Sequence, residues 1–166
     1  VDLVICALPM HVAAEVIPKI VEMDLLVVDL SGVTSNISPL QLAGLAEYPD
    51  QFIVYSIHWG PNWVDGEMPD HIKEFGRGLI DAGVNVVFGH SSHHVVQNPV
   101  EEYNGGIIIY SLGDFINDYS VKQRYKSDEA LIVEVEVNEN QLSHNVIHVQ
   151  RRFVNGNTGG SIPHII

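Results

Sequence analysis

The chain has 166 residues, 46% of them hydrophobic and 17% charged, enough for one domain with a proper core and too few for two comfortable ones. Its 8 Lys and Arg stand against 21 Asp and Glu, a formal charge of −13 with histidines neutral; such a field repels a phosphate backbone and argues against a nucleic-acid partner unless metal ions reverse the local sign. No apolar run approaches the roughly 20 residues needed to cross a bilayer, and the single cysteine, Cys6, excludes an internal disulfide and any multi-cysteine zinc site.

The chain opens on "VDLVICAL", with neither an initiator Met nor a leader-like segment, as expected of a fragment or a processed product; the compartment stays open. That run reads as a buried strand, "PMHVAAEVIPKIVEM" as a helix broken near Ile17 by Pro18, and "DLLVVDLSG" as a second buried strand. Strands apolar on both faces and separated by a helix predict a parallel βαβ unit. "SGVTSNISP" is turn-rich and makes the natural boundary, and "LQLAGLAEYP" supplies one or two helical turns.

From Phe52 the punctuation sharpens. "FIVYSIHWG" is a strand ending at His58. "PDHIKEFGRGLIDAG" is a helix, with Pro69 at its start, Ile72, Phe75, Leu79 and Ile80 at helical spacing, and Gly83 as its C-terminal cap. "VNVVFGH" and "GGIIIYSLGDF" are buried strands ending on Gly89-His90 and Gly113-Asp114. "EALIVEVEVNENQLSHNVIHVQRRFV" alternates as a two-stranded hairpin turning at Asn138 to Asn140, and the Gly-rich "NGNTGGSIPHII" reads as a poorly ordered tail. The expected organisation is an α/β fold: a βαβ segment over 1–32, of Rossmann-like character and packed into the same domain, a main part over 33–154 and a flexible tail over 155–166.

Three of these strands stop at a glycine beside a polar side chain: His58, His90 and Asp114. Ligands of open α/β sheets bind beyond the carboxyl ends of parallel strands, so these groups are expected on one rim. Imidazole and carboxylate together suit zinc, manganese, iron or nickel. His90 and His93 are close enough in a tight turn to face one ion or two neighbouring ions; alternatively His90 ends a strand while His93 and His94 are solvated. Trp59 and Trp63 flank a pocket mouth or anchor the core. His11, His71, His144, His148 and His164 read as surface or structural, and Glu134 and Glu136 as a solvated strand face.

"IVYSIHWGPNW", "LIDAGVNVVFGHSSHHVVQNPVEEYNGGIIIYSLGDFINDY" and "YKSDEALIVEVEV" resemble the C-terminal half of the capsule-synthesis CapA family from about Phe52 to Val154. These are poly-gamma-glutamate biosynthesis proteins similar to calcineurin-like metallophosphoesterases. The resemblance implies an α/β/β/α sandwich with two metal ions at the strand ends, and carried over by position it makes His58, His90 and His93 metal ligands. Ser92 stands where the family commonly has proline, His94 adds a further imidazole, and Asp114 replaces a common asparagine. The family's early Gly-Asp and Asn-Asn-His motifs are absent from this chain. Residues 1–32 instead resemble, over a short stretch, the nucleotide-binding half of N-acetyl-glutamyl-phosphate reductases, without that enzyme's cysteine motif or a Gly-rich dinucleotide loop.

The resemblance therefore implies a metal-dependent phosphoesterase-type domain using divalent manganese, iron or zinc, acting on a phosphoester or anionic polymer, with no membrane segment in this chain. His94 would protonate the leaving group, and Asp114 would bind a cation or orient a neighbouring ligand. The alternatives are a polymer-handling or assembly module of the same fold without catalysis, and a reductase-like protein that binds a nicotinamide cofactor.

Overall fold

A computed structural model of the chain describes residues 3–6, 26–29, 52–117, 120–138, 141–153 and 161–165. The helix expected before residue 24, its break at Pro18, the turn-rich boundary and the helical turns after it lie outside the described residues. Strands β1 (Leu3–Cys6) and β2 (Leu26–Asp29) pair in parallel, Leu3 opposite Leu26 and Cys6 opposite Asp29. Parallel pairing is what a βαβ unit requires of its two strands.

The main sheet has the order β3-β4-β6-β5. Strands β3 (Val54–His58), β4 (Val86–His90) and β6 (Gly106–Ile109) are mutually parallel, and β5 (Val100–Tyr103) lies antiparallel at the edge. Helix α1 (Asp70–Asp81) links β3 to β4. Pro69 sits at its N-cap, and its carbonyl accepts from the amides of Ile72 and Lys73. Gly83, at φ 103°, follows the last turn and donates to the Ile80 carbonyl; a left-handed residue there closes the helix with little strain when it is glycine.

β5 is a strand the periodicity does not predict, because "VEEY" has no apolar face. Its signal is the Asn104-Gly105 pair, with φ of 47° and 81°, which closes a two-residue turn between Tyr103 and Gly106. Two successive positive φ values match the twist of a tight hairpin.

Side-chain alternation divides the sheet. Tyr55, Ile57, Val87 and Ile108 face α1 and pack with Ile72, Leu79 and Ile80. Ile57, Val87, Leu79 and Ile108 are 0% exposed, and each such burial contributes about 1.5–3 kcal/mol. The opposite face carries Val86, Ile107 and Ile109, packed with Phe88 and with Val133, Val135 and Leu142. Those last three belong to a second sheet, β7 (Glu129–Asn138), β8 (Gln141–Phe153) and β9 (Ser161–Ile165), in antiparallel order β7-β8-β9. Glu134 and Glu136 alternate with the inward valines and are exposed.

The hairpin falls where the alternation places it, Asn138 opposite Gln141. The tail expectation needs correcting: Ser161–Ile165 forms β9, paired from Phe153 opposite Ser161 to Val149 opposite Ile165. The open edge of β8 offers backbone partners that composition does not reveal. Among the described residues the layers are therefore helix, sheet and sheet, a mixed α/β fold. No described helix is long and apolar enough to cross a membrane.

Candidate functional site

The parallel register places His58 directly opposite His90 at the carboxyl ends of β3 and β4. Both share the face turned toward the second sheet, alternating with the helix-facing Ile57 and Val87, and the Phe88 ring lies 5.9 Å from the His90 ring. Their Nδ1 atoms are 3.3 Å apart and the rings meet edge to face at 5.3 Å. Two nitrogens each about 2.0–2.1 Å from one tetrahedral ion are themselves about 3.3–3.4 Å apart, so the pair fits two positions of such a site. A neutral pair sharing one N–H···N bond fits the same spacing.

Loops 59–64 and 90–94 are stitched together behind this pair. The Trp59 amide donates to the His90 carbonyl (2.8 Å) and the His93 amide to the Asn62 carbonyl (3.0 Å). Ser91 and Ser92 hydroxyls donate to the carbonyls of Gly60 (2.8 Å) and Pro61 (3.0 Å). Ser91 is held at φ 142°, a region L side chains seldom occupy and one that persists where surrounding bonds over-determine it. Ser111, 1% exposed, donates to the carbonyls of Ser92 and His94. The hydroxyl of Ser92 thus fastens the two loops to each other.

Trp59 is a core anchor rather than a pocket wall. It is 3% exposed, its Nε1 donates to the Tyr110 carbonyl (3.0 Å), and its indole lies against Gly89 so closely that a Cβ there would stand 2.1 Å from Nε1. Trp63 is the pocket aromatic, stacked on His94 at 5.9 Å with the planes 5° apart.

His93 does not join the His58–His90 pair. Its Nδ1 lies 3.0 and 3.1 Å from the two carboxylate oxygens of Asp114. An ionised carboxylate only accepts, so Nδ1 carries the proton of this bond. Asp114 also accepts from the Asn117 side-chain amide, and the Asn117 side-chain oxygen accepts from Arg151 on β8. Arg151, 3% exposed, donates as well to the carbonyls of Asn117 and Ser127. A hydrogen-bonded chain therefore runs from a buried guanidinium through Asn117 and Asp114 to His93. Among the described residues no three His, Cys, Asp or Glu side chains converge as an ion site.

His94 is 3% exposed. Its Nε2 accepts from the Val64 amide (3.0 Å) and its Nδ1 donates to the Val95 carbonyl (3.0 Å). Burial holds this imidazole below the usual histidine range, opposed by the Val95 bond. With both nitrogens committed to backbone, the ring braces the loop, and the geometry gives it no atom with which to reach a leaving group.

His93 and Asp114 open on a pocket of about 340 Å³, lined also by Asn62, Trp63, Asn117, Ser120, Lys122 and Ser127. Of these, Asn117 and Lys122 escape sequence reasoning, as does Arg151 behind them. The "GDFIN" spacing puts Asn117 three residues after Asp114, which is the single local hint; an arginine interrupting the alternation of β8 is the hint for Arg151.

The family model described as "Bacterial capsule synthesis protein PGA_cap" matches residues 12–119, starting well ahead of Phe52 and taking in most of the segment with the reductase-like pattern. The chain is 44% identical over 71 residues to the probable polyglutamine synthesis accessory protein of Mycobacterium tuberculosis, a match covering 43% of this chain and 18% of that protein. It is 39% identical over 66 residues to the PGA biosynthesis protein CapA of Bacillus subtilis, covering 40% and 17% respectively. The capsule biosynthesis protein CapA of Bacillus anthracis is 33% identical over 66 residues, covering 40% of this chain and 15% of that protein. The matched stretch thus spans less than a fifth of the length of each of these relatives. With more than half of its residues inside the family match, the chain belongs to the bacterial capsule synthesis protein family PGA_cap.

Proposed function

We propose that this chain forms part of a metal-dependent, phosphoester-cleaving domain that serves the synthesis of an anionic capsule polymer of the poly-gamma-glutamate kind. The observation that carries this reading is the 3.3 Å approach of His58 Nδ1 to His90 Nδ1 on the rim of the parallel strand ends. His58 and His90 would hold a divalent manganese, iron or zinc ion. When bound, such an ion supplies polarisation of a phosphoryl oxygen and a water acidic enough to ionise near neutral pH. The other coordination positions would be filled by water.

The remaining roles belong to residues of the pocket and to those packed behind it. Asp114 fixes the tautomer of His93, whose Nε2 is the basic atom of the pair, and His93 thereby takes the proton-handling role that the sequence assigns to His94. Asn117 and Arg151 hold the Asp114 carboxylate in place. His94 keeps Trp63 and the 59–64 loop in register with the histidine loop.

One observation favours a second reading, a polymer-binding module without turnover: no three ligand side chains converge among the described residues. Metal analysis of the purified protein beside the His58→Ala/His90→Ala double variant tests the first reading. If the unaltered chain carries no more metal than the double variant, that reading fails. Hydrolysis of an aryl phosphate with added manganese separates it from the second, which predicts metal-dependent binding of polyanion and no turnover.

A further inference from the structure

Lys122 sits differently from the described cations that pair with carboxylates. Lys73 faces Glu67, Arg77 faces Glu101, Arg124 faces Asp65 and Lys126 faces Glu129. The Lys122 ammonium instead stands 4.9 Å from the Trp63 ring centroid, at the wall of the pocket that His93 and Asp114 also line. In a chain of charge −13, carboxylates are abundant, and a cation placed over an aromatic face beside a cavity keeps its charge available to whatever enters.

The placement is also built. The Lys122 amide donates to the Ser127 hydroxyl (2.9 Å), and the Lys122 carbonyl accepts from the Tyr125 amide (3.0 Å). Trp63, the platform beneath the ammonium, is fixed by His94 on one side and by Tyr125, whose ring centroid lies 5.1 Å away. Asn62 and Ser120 add side-chain donors to the same lining. The carboxylate that could oppose an incoming anion, Asp114, accepts from both His93 and Asn117, which offsets part of its charge.

We infer that this pocket is an anion-anchoring subsite in which Lys122, held over Trp63, receives a carboxylate of an acidic chain. Its volume of about 340 Å³ is enough for one or two short acidic residues. The inference rests on the proposed phosphoester reading only in what it places at the His93 end, where the reacting group of the same chain would lie; the carboxylate contact itself is independent of any metal.

The test uses the whole chain and two probes, the dipeptide Glu-Glu and its neutral isostere Gln-Gln, both N-acetylated and C-amidated so that only the side chains differ in charge, titrated calorimetrically at low ionic strength. A lysine–carboxylate contact at the mouth of a pocket is worth about a fivefold preference. The expected result is that Glu-Glu binds about fivefold more tightly than Gln-Gln, that Lys122→Met abolishes this preference, and that Lys122→Arg retains it. No preference in the unaltered chain, or a preference that survives Lys122→Met, overturns the inference. Metal content of the same samples is read separately. A chain that prefers Glu-Glu while binding no metal keeps the subsite and loses the phosphoester reading; a chain that binds metal without the preference does the reverse.

Discussion

His58 Nδ1 and His90 Nδ1 lie 3.3 Å apart because the parallel register of β3 and β4 sets the two residues directly opposite each other. Neighbouring residues in register share a face, so the approach follows from backbone pairing and needs no long side chain to reach across. His58→Ala or His90→Ala alone removes half of the pair, and each is expected to weaken manganese or zinc binding by at least about tenfold. His93→Ala, which leaves the pair whole, is expected to have a smaller effect. Calorimetric titration of each variant with the metal checks the order.

Gly89→Ala tests the packing beneath the same strand end. A Cβ at this position would stand 2.1 Å from Trp59 Nε1, and the indole is fixed by its bond to the Tyr110 carbonyl. Neither side yields cheaply, so a loss of about 3 kcal/mol is expected from overpacking. Urea denaturation followed by tryptophan fluorescence measures it, and a midpoint unchanged from the unaltered chain would show that the indole can move aside.

Arg151→Lys keeps the charge and removes the fork that reaches both Asn117 and Ser127. An ammonium cannot satisfy both buried acceptors in the same geometry, and the expected cost is about 1–3 kcal/mol. The consequence reaches His93 through Asn117 and Asp114. The Nδ1–H proton signal of His93 in NMR spectra should broaden or disappear in the variant, whereas a purely local role for Arg151 would leave that signal in place.

The His94 imidazole, held neutral by burial, gives stability a pH dependence of definite sign. Its folded value lies below the ordinary 6.5, so the unfolded chain binds more protons between the two values. Its contribution is complete above about 6.5 and is lost as pH falls through that value toward the folded one. Unfolding free energy measured across the acid side should therefore fall less steeply in His94→Gln than in the unaltered chain; parallel curves would contradict this.

Much of this protein is legible from local sequence. The apolar runs of β3, β4 and β6, the helical spacing of Ile72, Leu79 and Ile80, the Gly83 cap and the Asn138 hairpin are patterns written within a few residues of themselves. Parallel neighbours carry their carboxyl ends to one rim, and that brings His58 and His90 together. The tertiary structure alone decided which partner each imidazole takes. His93 turns to Asp114, and His94 turns inward to the amide of Val64, 30 residues away, because carbonyls and hydroxyls of a separate loop fix the backbone between them. Arg151 reaches Asn117 across 34 residues, and β9 finds the open edge of β8, through pairings that exist only once the sheets have stacked. Periodicity reports which face a residue takes; the partner on that face is set by the packing of distant segments, which no local pattern encodes.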